Sequence, residues 1–210
     1  MKPRVSSRLL PFAPALVAAS LACVACAPPP DAFAKPTDVF VAPNGEVYVS
    51  DGYENTRVAR FDPRGLFLDA WGEAGSEPGH FDIPHGIASD GAERIYVADR
   101  GNARLQIFDL EGTLVDVWSG PEIGRPWGVE VAPNGHVFVI DGGDQLEGAP
   151  SGRALELDRD GKVVTSWGGF GREEGQFDTG HDITVGPDGS VYVVEQVGRR
   201  VQKFRPGATP

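Results

Sequence analysis

Val47-Tyr48-Val49-Ser50-Asp51, Ile95-Tyr96-Val97-Ala98-Asp99, Val137-Phe138-Val139-Ile140-Asp141 and Val191-Tyr192-Val193-Val194-Glu195 are variants of one five-residue phrase. In each, alternate residues point to opposite faces, the signature of a short β-strand. Asn44-Gly45, Asn134-Gly135 and Asp188-Gly189 stand before three of them, turn dipeptides that supply the positive φ of tight hairpins, with Asp90-Gly91 the looser counterpart in the second unit. Further upstream each unit opens on a first strand: Pro36-Thr37-Asp38-Val39, Pro84-His85-Gly86-Ile87, Pro126-Trp127-Gly128-Val129 and Gly180-His181-Asp182-Ile183. Downstream come third strands such as Arg57-Val58-Ala59-Arg60-Phe61, Arg104-Leu105-Gln106-Ile107-Phe108 and Arg200-Val201-Gln202-Lys203-Phe204. Outer strands end on Trp71, Trp118 and Trp167, placed to wedge between neighbouring units. Units of this length, each with several short strands, read as the blades of an all-β propeller. The fourth unit stops after its third strand, since Arg205-Pro206-Gly207-Ala208-Thr209-Pro210 is poor strand material.

The first residues read differently. Lys2, Arg4 and Arg8 precede an apolar run from Leu9 to Cys26 broken by Pro11 and Pro14, the pattern of an export signal over residues 1–26. A linker at 27–35 and the propeller at 36–210 follow. Both cysteines, Cys23 and Cys26, lie in the leader, so lipidation is an alternative to simple cleavage and the mature chain is expected to hold no disulfide. The expected location is outside the cytoplasm, with membrane contact only through such a lipid anchor. Net charge is −11, and the leader's basic residues account for part of the positive side; an acidic mature chain argues against nucleic acid as a partner.

Register places Thr37, His85, Trp127 and His181 at one equivalent position on the innermost strands, facing the channel. Two imidazoles in alternate units are the right kind of donor for zinc, although two ligands are fewer than such sites use. Hydrogen-bonded channel histidines are the other reading of the same pattern.

The units resemble NHL repeats, and a more specific resemblance lies on Pro36-Thr37-Asp38-Val39, on Ser50-Asp51-Gly52-Tyr53 with Asn55 and Arg57, and on Trp71-Gly72-Glu73. It continues through Pro78-Gly79-His80-Phe81, Pro84-His85, Val97-Ala98-Asp99-Arg100 and Phe177-Asp178-Thr179-Gly180-His181-Asp182-Ile183. These are similar to peptidyl-α-hydroxyglycine α-amidating lyase, a six-bladed zinc propeller that splits peptidyl-α-hydroxyglycine into a peptide amide and glyoxylate. The resemblance implies zinc at His85 and His181, Tyr53 as the catalytic tyrosine, Arg100 on the substrate carboxylate and Asp182 as a side-chain ligand for calcium. It also implies a peptide or small α-hydroxyglycine substrate.

The departures from that family are definite. Its third histidine and two backbone calcium ligands are expected on a blade upstream of Pro36, where the leader stands. An upstream substrate-binding arginine and the disulfide cysteines are missing; Ala34 and Glu54 occupy one pair's places, and Gly180 replaces a proline. His80 and His136 fall in a loop and at a strand start, poor places for a third ligand. A non-catalytic exported propeller that binds a peptide, glycan or protein is therefore the rival reading, and a fragment of a longer enzyme is a third.

Overall fold

The computed structural model describes residues 32–145 and 148–205. The leader, its two cysteines and residues 206–210 lie outside the described residues. Among those described, no helix is long and apolar enough to cross a membrane.

Four antiparallel sheets follow one another along the chain. Blade 1 holds β1 (Asp38–Val41), β2 (Val47–Asp51), β3 (Arg57–Phe61) and β4 (Phe67–Trp71). Blade 2 holds β5 (Pro84–Ser89), β6 (Ile95–Asp99), β7 (Arg104–Phe108) and β8 (Leu114–Ser119). Blade 3 holds β9 (Pro126–Val131), β10 (Val137–Asp141), β11 (Arg153–Leu157) and β12 (Val163–Gly168). Blade 4 holds three strands, β13 (Gly180–Val185), β14 (Val191–Glu195) and β15 (Arg200–Phe204). One short 3-10 turn, Arg100–Asn102, is the sole helical element among the described residues.

The hairpin turns differ in detail from the expectation. The Gly45 N–H donates to the Ala42 carbonyl (2.8 Å), and only the glycine of each dipeptide takes positive φ, at +85° for Gly45, +84° for Gly135 and +76° for Gly189. This is the longer turn closed by a left-handed glycine rather than the two-residue hairpin. Asn44 contributes its side chain instead, accepting from the Glu46 N–H at 3.0 Å.

Alternation along the strands does not separate a wet face from a dry one, because inner blades are covered on both sides. Tyr96, Leu105, Ile107 and Trp118 of blade 2 pack with Val129, Val137, Val139 and Leu155 of blade 3. The opposite face of blade 2, with Ile87, Ile95, Val97 and Phe108, packs on Tyr48, Val58 and Trp71 of blade 1. Trp167 reaches Phe204 of blade 4 at 5.8 Å between ring centroids. The tryptophans thus sit at the blade joints, as the outer strands indicated.

A second device repeats in every blade. The acid that ends the second strand is buried and meets the arginine that begins the third: Asp51 with Arg57 (3.3 Å), Asp99 with Arg104 (2.7 Å), Asp141 with Arg153 (3.9 Å) and Glu195 with Arg200 (2.6 Å). The same guanidinium fastens the loop arriving from the preceding blade. Arg104 donates to the carbonyls of Ser76, Glu77 and His80, and Arg200 to those of Arg172, Glu173 and Gln176. Irregular loops with unpaired carbonyls would be costly beside a packed sheet, and these forks satisfy them.

Candidate active site

Three inner strands carry a register break at the channel position. In β5 the pairing jumps from Pro84 to Ile87, skipping His85 and Gly86; in β9 it jumps over Trp127, and in β13 over His181. A β-bulge of this kind turns a side chain away from the direction the pleat would give it. The three rings converge. His85 and His181 lie 4.8 Å apart between centroids, with Trp127 at 5.1 Å from the first and 5.3 Å from the second. Glycine beside each bulge permits the approach, since a Cβ on Gly86 or Gly128 would crowd the neighbouring inner strand. Thr37 occupies the fourth equivalent place but turns to the Ser50 and Pro84 carbonyls at 3.0 and 2.8 Å.

The entry to both histidines is strained. Ile83 and Thr179, each two residues before a histidine, adopt φ of +56° and +60°, a region β-branched side chains seldom visit. Their carbonyls accept from the loops that follow the second strands, Ile83 from the Arg100 N–H (3.2 Å) and Thr179 from the Gln196 N–H (2.9 Å). Lys35 does the same in blade 1, with φ +61° and its carbonyl on the Tyr53 N–H at 3.4 Å. Tyr53 and Arg100 therefore occupy matching places in adjacent blades. Gly52 lets the Tyr53 loop lie against β5, because a Cβ there would overlap the Pro84 carbonyl.

The result is a defined histidine tautomer. His85 Nδ1 lies 2.8 Å from the Trp127 carbonyl oxygen, which can only accept, so that nitrogen carries the proton. Nε2 is left with its lone pair, 3.0 Å from the Tyr53 hydroxyl, which donates to it. Burial pushes the His85 pKa down to about 4, against a partial opposing pull from the Trp127 carbonyl; His181 is also lowered, chiefly by burial. Both imidazoles are the neutral form that metals bind. In a proton NMR titration of the metal-free protein, the His85 ring signals are expected to move with a midpoint near 4, below an ordinary histidine. A midpoint near 6.5 would contradict the buried neutral assignment.

Arg100 stacks over the Trp127 indole, its guanidinium carbon 3.6 Å from the ring centroid. Asp144 gathers this side of the site. It accepts from Arg100 (2.9 Å), Arg125 (3.0 Å) and Trp127 Nε1 (2.6 Å). Sequence reasoning missed Asp144, which lies in the irregular stretch after β10, three residues beyond Asp141 as Glu54 is beyond Asp51. It also missed Asp38 as part of the channel. Asp38 accepts from the Val39 and Ile87 N–H groups, and burial raises its pKa to about 6, with Asp182 adding like charge. Asp182 and Glu130 are raised by burial too. Among the described residues, no group of three or more His, Cys, Asp or Glu side chains is arranged to hold a metal ion. His85 and His181 lie together, with Tyr53 on His85 and Arg100 across the Trp127 ring; His80 and His136 are not among these ring contacts.

The NHL repeat family model matches residues 33–61 and 81–108. Peptidyl-glycine alpha-amidating monooxygenase B of Xenopus laevis is 35% identical over 83% of this chain, which spans 21% of that protein. This chain is a β-propeller that carries NHL repeats and resembles the amidating lyases. Peptidyl-alpha-hydroxyglycine alpha-amidating lyase 1 of Drosophila melanogaster is 30% identical over 82% of this NHL propeller and 35% of its own length. The propeller thus spans well under half of these relatives. Among solved structures, hydrazine synthase of Kuenenia stuttgartiensis overlays with a TM-score of 0.62 at 15% identity, covering 82% of this chain and 46% of that one, a likeness of fold alone. Ala34 and Glu54, the places of an expected cysteine pair in the lyases, are joined here by a backbone hydrogen bond of 3.2 Å.

Proposed function

We propose that this NHL propeller is an exported, zinc-dependent lyase-like protein acting on peptidyl-α-hydroxyglycine. The reading rests on one arrangement: a neutral His85 with Nδ1 tied to the Trp127 carbonyl, its Nε2 beside Tyr53 and its ring against His181. The two imidazoles fit zinc in kind, since a ligating histidine usually donates its other nitrogen to a carbonyl or carboxylate. They fall short in number, which makes weak binding the expected behaviour. Zinc, when held by His85 and His181, would act as a Lewis acid and ease loss of the substrate hydroxyl proton.

The chain's own groups would do the rest. Arg100, held flat against Trp127 by Asp144, would bind the substrate carboxylate on the guanidinium edge not used by Asp144. Tyr53, as phenolate, would take the hydroxyl proton while the C–O bond becomes a carbonyl and the C–N bond breaks. The proton then returns to the departing amide nitrogen, giving peptide amide and glyoxylate with Tyr53 restored. Calcium at Asp182 belongs to the same proposal, because carboxylate oxygens are the donors that ion takes. The export reading draws support from the leader.

The test is zinc content by elemental analysis together with glyoxylate release from a small α-hydroxyglycine substrate. Weak zinc uptake and slow, zinc-stimulated release are expected. Neither uptake nor release under any metal condition would favour a non-catalytic binding propeller.

A further inference from the structure

In every blade the residue two places before the channel position gives its carbonyl to the loop that follows the second strand. Lys35, Ile83 and Thr179 do so with positive φ; Arg125, whose carbonyl accepts from the Gly142 N–H at 3.2 Å, does so without it. In blade 3 the left-handed turn falls one residue earlier, on Gly124 at φ +73°, where a Cβ would overlap the Asp141 carboxylate. Lys35 pairs with Glu54, three residues past the end of β2, and Arg125 pairs with Asp144, three residues past the end of β10. The two pairs hold equivalent places in the repeat. The blade 3 pair, however, also grips Arg100 of blade 2.

Arg125 reaches back across the joint between blades 2 and 3. Its Nε donates to the Arg100 carbonyl (2.9 Å), and its Nη1 donates to both the Asp144 carbonyl (2.7 Å) and the Asp144 carboxylate (3.0 Å). Asp144 Oδ2 also accepts from Arg100 Nη2, and Oδ1 from Trp127 Nε1, so both carboxylate oxygens are spent within the protein. Asp144 is thus a strut rather than a base. One carboxylate faces two guanidiniums, and the cluster keeps a net positive charge on a chain whose overall charge is −11. All three side chains are 31% exposed or less, so water screens this charge only in part.

We propose that Arg125 is a positioning residue of the site: it holds the Arg100 loop and Asp144 in one arrangement and thereby aims the Arg100 guanidinium at a ligand carboxylate. The proposal rests on the reading of Arg100 as the group that meets the substrate carboxylate. Arg125 contributes in two ways. Its fork fixes the main chain of Arg100 and of Asp144 at once, a geometry that a lysine ammonium does not reproduce. Its charge balances Asp144, which would otherwise neutralise Arg100 and weaken the pull on an anion.

The test uses the full chain, with Arg125→Met, which keeps the stem and loses the charge, and Arg125→Lys, which keeps the charge and loses the fork. N-acetylglycine, a stable carboxylate that ends as an α-hydroxyglycine substrate does but without the hydroxyl, is titrated into isotope-labelled, metal-free protein. The reporter in nitrogen–proton correlation spectra is the Arg100 Nε–H, which is buried and has no hydrogen-bond partner among the described residues. Arg125→Met should weaken N-acetylglycine binding by about tenfold, the scale of one charge-assisted hydrogen bond lost. Arg125→Lys should fold as the parent does, by far-ultraviolet spectrum, and recover only part of that affinity. With zinc and a small α-hydroxyglycine substrate, the same order should appear in KM while kcat is largely retained. Binding and KM at parent values in both variants would overturn the proposal. So would full rescue by lysine, a loss confined to kcat, or a parent that does not bind N-acetylglycine. A parent that releases no glyoxylate, yet binds N-acetylglycine in an Arg125-dependent way, would remove the lyase reading and leave the positioning role standing.

Discussion

Replacing His85 with alanine should abolish zinc-stimulated glyoxylate release, a loss well beyond the roughly 10–100-fold that follows from removing a group that merely orients a ligand. The imidazole has two functions in the geometry, and alanine ends both. Its Nε2 lone pair is one of the donors proposed for zinc; without metal the same lone pair receives the Tyr53 hydroxyl at 3.0 Å, a bond that zinc would replace. Tyr53→Phe separates these functions, since it leaves both imidazoles in place and removes only the proton carrier. It should retain the parent's zinc content while losing most turnover. Release that survives His85→Ala would place the chemistry elsewhere, and zinc loss in Tyr53→Phe would make the phenol a ligand rather than a base.

The second large effect concerns folding. Asp99 is fully buried, and its carboxylate accepts from the Asp82 N–H (2.8 Å), Asn102 (2.8 Å), Arg104 (2.7 Å) and Gln106 (3.1 Å). Asp99→Ala leaves the Arg104 charge without its carboxylate in a site with little access to water. Breaking a buried pair in this way typically costs about 3–5 kcal/mol. For a domain of this size that corresponds to a fall in Tm of roughly 6–20 °C. An exposed pair provides the contrast. Arg64 bonds Asp62 at 2.7 Å, but the arginine side chain is largely in solvent, and Arg64→Ala should change stability by about 0–1 kcal/mol. Thermal melts of the two variants side by side decide the matter; similar small shifts in both would mean that the Asp99–Arg104 link is not structural.

Much of this architecture is local, and local features are legible in a chain. The turn glycines after Asn44, Asn134 and Asp188 announce hairpins because positive φ has a residue cost that only glycine escapes. Strand alternation gives the register, and register alone puts His85, Trp127 and His181 at one equivalent place. What the bulges do to those residues was not legible. Gly86, Gly128 and Gly180 beside them are a signal in hindsight, since glycine inside a strand often marks a bulge. Nor does the order of residues state that the Tyr53 loop of blade 1 leans onto β5 of blade 2. That contact depends on how tightly two sheets pack, which is set by Gly52 against the Pro84 backbone. Asp144 was not legible for a simpler reason: its counterpart in blade 1, Glu54, pairs with Lys35 instead, so the repeat gives no sign of the contacts Asp144 makes.

The Trp127 residue serves its three neighbours through chemically separate parts. Its main-chain oxygen dictates where the proton sits on His85, and its indole supports Arg100 and bonds Asp144. The tautomer of the histidine thus follows the path of the backbone at 127, whereas its burial also draws on the indole, 5.1 Å away between ring centroids. Over evolutionary drift, such a residue can exchange its ring and retune how an anion is held, and how easily His85 takes a second proton, while the nitrogen that carries the first proton is inherited unchanged.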